Sequence, residues 1–112
     1  MNNNKDNYYF ARKIIENINA IQNYVFNKSY EEFLSDDELM DAVMFRLIQM
    51  IENIKNVSED FKEANSNVPW KQIIGFRNGI VHEYGKTDYF IVYETATRDL
   101  NSLKAVFEAL LK

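Results

Sequence analysis

The chain has 112 residues, 46% of them hydrophobic, and only four are Gly or Pro, which predicts one compact domain over residues 1–112 rather than a disordered segment. It contains no cysteine, which excludes disulfides and thiolate metal sites and favours a reducing, cytoplasmic compartment. The formal net charge of −4 argues against a protein that coats nucleic acid through a basic surface, so any RNA site must be local.

The N-terminal part of the chain predicts a core-facing helix and no targeting segment. No basic start leads into an apolar stretch, and nowhere do 18 apolar residues run together, so we expect neither export nor a membrane span. From about residue 6 to residue 26, apolar residues recur every three or four positions and form one stripe. After a short helical turn at residues 29–34, residues 35–38 supply an N-cap and an acidic first turn for the next helix.

The remaining elements also follow a helical period. Apolar residues from Met40 to Phe61 keep one face over about six turns, which predicts a long helix as the bundle spine. Pro69 fits the first turn of a short third helix that ends near Gly85. Thr87 and Asp88 can cap a last helix, in which apolar residues alternate four and three apart to residue 110. The prediction is an all-α, up-and-down bundle of four or five helices.

The segment from residue 69 to residue 84 concentrates the residues that can perform chemistry. On a helix, Asn78 and His82 are four apart and share a face. Arg77 lies about 140° around the axis from His82, an angle that its long side chain can bridge. Taken singly, His82, Arg77 and Tyr84 are each more typical of structural roles, so a functional interpretation depends on their joint spacing.

Two glycines, Gly75 and Gly79, lie four apart on the same predicted helix. Each destabilises a helix interior by up to about 1 kcal/mol relative to Ala. Glycines in such positions permit close approach by another helix of the bundle, a partner subunit or a ligand phosphate.

The spacing of Arg77, His82 and Tyr84 resembles the Arg-x4-His-x-Tyr motif of HepT-type toxins of the HEPN superfamily, including the Asn that follows the Arg. The resemblance extends over nearly the whole chain, and residues 33–93 carry most of it. It implies a HEPN-like helical bundle that forms a homodimer, and a metal-independent RNase site formed by Arg77 and His82. It also implies a type VII-like toxin-antitoxin pair, in which a nucleotidyltransferase antitoxin adenylylates Tyr84. No cofactor is implied.

Metal-free RNA cleavage explains why these residue types would occur together. The reaction needs a base for the 2′-hydroxyl proton, an acid for the leaving oxygen and a cation for the phosphate. His82 can fill either proton role, since an unperturbed imidazole has a pKa of about 6.5, and Arg77 can hold phosphate in a fork. One histidine per chain favours a two-fold dimer that supplies a second copy. Asn78 could orient His82 or bind phosphate, and Arg46 is either a substrate contact or a surface ion pair.

Two other functions remain open. The main alternative is a non-catalytic subunit that helps a minimal nucleotidyltransferase bind its substrate, and a plain helical interaction module is a third. A zinc or di-iron site is disfavoured, because one histidine and no cysteine supply too few converging ligands.

Overall fold

The computed structural model describes residues 4–82 and 88–112, with side chains described for residues 6–80 and 88–112. Every assigned element within these ranges is helical, which confirms the predicted all-α bundle. No helix in this part of the chain is long and apolar enough to cross a membrane. The helices are α1 (Asn4–Val25), α2 (Tyr30–Leu34), α3 (Asp37–Lys55), α4 (Glu59–Ala64), α5 (Trp70–His82), α6 (Tyr89–Glu94) and α7 (Leu100–Leu111), with a π-helical turn (Thr95–Asp99) between the last two.

The core forms where α1 packs along α3 and α7. The predicted stripe on α1 is confirmed, since Ile14, Ile18 and Ile21 are fully buried. On α3 the buried positions include Leu47 and Ile51. The buried apolar residues of the described chain form one continuous cluster, so the bundle is held together chiefly by burial of these helix faces.

The caps predicted before α3 are present. Asp36 is the N-cap of α3, and its carboxylate accepts a hydrogen bond from the Leu39 amide at 3.0 Å. The preceding short helix begins with a capping box, in which the Ser29 hydroxyl accepts from the Glu32 amide and the Glu32 carboxylate accepts from the Ser29 amide. Hydrogen bonds from the Ser29 amide, and to a lesser extent from the Ser29 hydroxyl, to the Glu32 carboxylate lower the pKa of that carboxyl, and the nearby Lys28 adds a smaller effect in the same direction.

The predicted six-turn helix is in fact two helices. Helix α3 ends at Lys55, and Phe61 lies on the short helix α4. The break occurs because Ser58 caps α4, accepting from the Phe61 amide at 3.2 Å. Ser58 is in turn bonded twice to the buried side chain of Asn7 on α1, at 2.9 Å in both directions. The contact between Asn7 and Ser58, which are 51 residues apart, therefore ends α3 although the apolar pattern continues past Lys55.

The last helix also departs from the predicted regular seam. Between Tyr89 and Leu111 it contains the π-helical turn, in which one extra residue enters the turn. The Thr97 hydroxyl donates to the Tyr93 carbonyl at 2.7 Å, and such side-chain bonding competes with the regular helical hydrogen bond. Val92, Ala96 and Leu100 are buried on this helix.

Candidate active site

Helix α5 is held at its N-terminal end by Trp70. The indole Nε1 donates to the carbonyls of Lys62, at 3.0 Å, and of Asn65, at 3.1 Å. Pro69 stands immediately before the helix, one residue from its predicted position, and its carbonyl accepts from the Ile73 amide at 3.1 Å. From this anchor α5 packs along α3, so Arg77 and His82 lie on a helix fixed to the bundle spine.

The backbone of α5 is helical from Trp70 through His82. The predicted spacing between Arg77 and His82 therefore corresponds to a rise of roughly 7.5 Å along one helix. The side chain of His82 lies outside the described residues, as do Tyr84 and the predicted helix stop at Gly85. Among the predicted site residues, the described side chains are those of Arg77, Asn78 and Arg46.

Arg77 makes a close ion pair with Glu52 of α3. Its Nε lies 2.6 Å from Oε2 of Glu52, and the side chains are 28% and 38% exposed. Both contacting atoms are buried, yet neither completes a hydrogen bond within the described structure. Because the distance is short, the missing element is the angle, and the N–H does not point at the carboxylate oxygen. The contact is therefore a charge pair with a hydrogen bond still to be made.

The other end of the guanidinium lies near Asn78. Arg77 Nη1 is 3.5 Å from the Asn78 side-chain oxygen, which is the outer limit for a hydrogen bond. The neighbouring motif residues thus face the same region, and Asn78 itself is exposed. Among the described residues, Glu52 thus lies beside Nε of Arg77 and Asn78 beside Nη1.

Glu52 was missed by the sequence analysis. In the sequence it lies between the core residues Ile51 and Ile54, and nothing in the local pattern distinguishes it from any other charged residue of a helix. Only the packing of α3 against α5 brings it to Arg77, which is 25 positions away.

Arg46 lies in a different environment. Its Nη1 donates to the Asn17 side-chain oxygen at 3.2 Å, and the buried Asn17 donates to the Lys13 carbonyl. Arg46 and Glu52 are six residues apart on α3, which places them about 120° apart around the helix. The structure therefore directs Arg46 toward α1 and Glu52 toward α5, and it does not bring Arg46 together with Arg77.

Gly75 and Gly79 are exposed on α5. A Cβ atom built on either glycine meets no heavy atom within 4 Å. Of the three groups predicted to approach this face, no helix from the described part of the chain does so. Approach by a partner subunit or a ligand phosphate stays a prediction.

A groove of about 610 Å³ opens on another side of α5, between that helix and the C-terminal helices. Most of its lining is apolar, and Asp99 is the only charged residue among the side chains that line it. An acid and an apolar wall do not suit an RNA phosphate, and Arg77 does not border the groove. Neither Arg77 nor Asn78 lines this groove.

The comparisons with known proteins bear on this motif. The family model described as Ribonuclease HepT-like matches residues 14–110. The chain is 32% identical over 103 residues to a Methanocaldococcus jannaschii protein named "Putative RNase MJ1216", covering 92% of this chain and 85% of that protein. It is 31% identical over 103 residues to "Probable ribonuclease HepT" of Thermococcus cleftensis, covering 92% and 94% of the two chains. No solved structure matches. The match of the family model over most of the sequence shows that the chain belongs to the HepT-like ribonuclease family.

Proposed function

We propose that this protein is an endoribonuclease toxin that cleaves RNA with Arg77 and His82 and is neutralised by a nucleotidyltransferase antitoxin. The observation that carries the proposal is the match to the HepT-like ribonuclease family over residues 14–110. Arg77 and His82 lie within that match on one helix, with the guanidinium of Arg77 beside Asn78.

The proposed chemistry is an internal transfer at phosphorus. The 2′-oxygen of RNA attacks the adjacent phosphorus, the bond to the 5′-oxygen breaks, and a 2′,3′-cyclic phosphate and a 5′-hydroxyl result. One His82 imidazole accepts the 2′-hydroxyl proton, and an imidazolium donates a proton to the leaving oxygen. Arg77 stabilises the negative charge that grows on the phosphoryl oxygens. No metal ion is required by this scheme.

A homodimer supplies the second histidine. One histidine per chain cannot act as acid and base in the same step, whereas two copies related by a two-fold axis offer both. The open glycine face of α5 supports this arrangement, because a second backbone could approach Gly75 and Gly79 without displacing any described side chain.

Adenylylation of Tyr84 would explain how an antitoxin silences such a site. Tyr84 follows His82 by two residues, and a nucleotide on its hydroxyl adds bulk and negative charge. Both oppose entry of an RNA phosphate. The partner is therefore expected to be an enzyme that transfers a nucleotide to Tyr84.

The test is expression of the wild type and of variants without a partner, with growth and RNA integrity measured in the same cells. We expect arrest and RNA cleavage with the wild type, and neither with His82→Ala. Arg77→Lys keeps the charge but loses the planar fork, and it should be strongly impaired. Arg98→Lys is the matched control, since Arg98 is exposed and pairs with Glu94. If the wild type leaves growth and RNA intact, the nuclease proposal is wrong, and a substrate-binding subunit of a nucleotidyltransferase becomes the better explanation.

A further inference from the structure

We propose that Glu52 is a positioning residue for catalysis, which holds Arg77 by its Nε so that the Nη groups face the RNA phosphate. This inference rests on the proposed function, and it adds a residue from α3 that lies outside the motif. It is carried by the close contact between two buried atoms from different helices.

The contacts of the Arg77 guanidinium differ between its Nε side and its Nη side. An arginine has five N–H donors in a rigid plane, one on Nε and two on each Nη. Glu52 occupies the Nε side at 2.6 Å, and Asn78 offers only a long contact of 3.5 Å to Nη1. A fork of two Nη groups is what binds a phosphate bidentately. The carboxylate thus holds the guanidinium from behind without occupying the end that meets substrate.

The unused hydrogen bond indicates which orientation of the guanidinium is favoured. Buried donors and acceptors without partners are unfavourable, and here both Arg77 Nε and Glu52 Oε2 are in that state. A rotation of the guanidinium that points Nε–H at Oε2 removes the penalty for both atoms. Because the plane is rigid, the same rotation redirects the Nη groups together. Glu52 therefore selects one orientation of the fork.

Arg77, Glu52 and Lys55 form a cluster of ionised groups whose net charge is positive, which favours binding of RNA. The other oxygen of Glu52, Oε1, lies 3.9 Å from Nζ of Lys55. One carboxylate between two cations leaves a net charge of +1. Removing the carboxylate charge makes the cluster more positive, which favours RNA in the ground state, but it frees the guanidinium to reorient. Loss of Glu52 should therefore lower kcat while KM stays constant or falls.

The experiment compares steady-state cleavage of a short fluorogenic RNA by wild type, Glu52→Ala, Glu52→Gln and Glu52→Asp. Gln keeps the reach and an acceptor oxygen but loses the charge, whereas Asp keeps the charge and is one methylene too short. We expect kcat to fall roughly 100-fold in Glu52→Ala and Glu52→Asp, the scale typical of a misplaced catalytic group, and roughly tenfold in Glu52→Gln. The matched control is Glu94→Gln, which removes the carboxylate charge from another Glu–Arg pair, at 3.0 Å with Arg98 exposed, and should leave both constants unchanged.

Three kinetic results would overturn the proposal. A higher kcat in Glu52→Ala would mean that Glu52 restrains Arg77 from acting. Wild-type kcat in Glu52→Asp, with Glu52→Gln as slow as Glu52→Ala, would mean that charge matters and position does not. Equal losses in kcat and in the folded fraction measured by circular dichroism would mean a purely structural role.

A second measurement does not depend on activity. The chain has four arginines, so its Nε–Hε signals in a 15N NMR spectrum are few, and Arg77→Lys identifies the one from Arg77. We expect that proton to exchange slowly with water in the wild type and rapidly in Glu52→Ala. Rapid exchange in the wild type overturns the inference whatever the activity. If the wild type cleaves no RNA, the proposed function fails, and this comparison alone decides whether Glu52 holds Arg77.

Discussion

The substitution Gly79→Ala tests two properties separately. One is the stability of the folded chain, and the other is whether a second copy or RNA packs on the exposed face of α5. Gly79 is exposed in the middle of a helix, it has no positive φ, and an added Cβ meets no heavy atom within 4 Å. The methyl group therefore adds no clash and removes the backbone entropy penalty of glycine, which is about 1 kcal/mol in a helix interior. The free energy of unfolding should rise by that amount, and Tm by roughly 4 °C for a chain of this length.

The assay is urea denaturation followed by circular dichroism at several protein concentrations, since an assembly that dissociates on unfolding becomes more stable as concentration rises. Ala105→Gly, at an exposed position of α7, is the mirror control and should lose about 1 kcal/mol. At low concentration, destabilisation by Gly79→Ala would refute the reasoning, because the added carbon would then be meeting something within the chain. If a second copy or RNA packs on this face, the same variant should cleave RNA less well although it is more stable.

Three further predictions concern the contacts that fix the bundle. Trp70→Phe removes the donor to two carbonyls at the end of α4 and should reduce the free energy of unfolding by about 2 kcal/mol in urea denaturation; no loss would mean that water replaces the indole. Asn7→Ala breaks both hydrogen bonds to Ser58 and should also reduce the free energy of unfolding by about 2 kcal/mol. The control is Asn19→Ala, at an exposed position of the same helix. Hydrogen bonds from Ser29 lower the pKa of Glu32, so folding favours the ionised carboxylate. The resulting stabilisation is fully present above the ordinary carboxyl pKa, and it is lost as the pH falls through the lowered pKa. The stability difference between wild type and Glu32→Gln should therefore be larger at pH 7 than at pH 3, and a difference independent of pH would contradict this.

The bundle could be predicted from the sequence because its determinants are local. Apolar spacing on α1 identifies the buried face without knowledge of what it packs against, and Ile14, Ile18 and Ile21 are buried accordingly. The errors occur where a distant contact overrides a local pattern. The apolar face continues past Lys55, but the cap at Ser58 depends on Asn7, which is distant in sequence.

The same difference between local patterns and distant contacts applies to the candidate site. The placement of Arg77 and Asn78 on one helix follows from helical periodicity and is what the structure has. The partnership with Glu52 could not be predicted, because residues 25 apart on two helices share no sequence pattern. The opposite case concerns Arg46. A substrate contact is predicted there because Arg46 is a cation on the bundle spine. Its orientation toward Asn17 depends on which side of α3 meets α1.

The net charge of the chain limits how the proposed RNA site can attract a phosphate. A protein with a formal net charge of −4 gains little from long-range attraction to RNA, and its interactions with phosphate are confined to about a Debye length, roughly 8 Å at physiological salt. Within that distance a single freely rotating arginine would be a weak and poorly directed cation. In the proposed site, an arginine oriented at Nε by Glu52, with Lys55 beside the same carboxylate, would present a directed fork while these three groups keep a net positive charge. Under this proposal, the orientation of Arg77 contributes more to phosphate binding than the quantity of positive charge does.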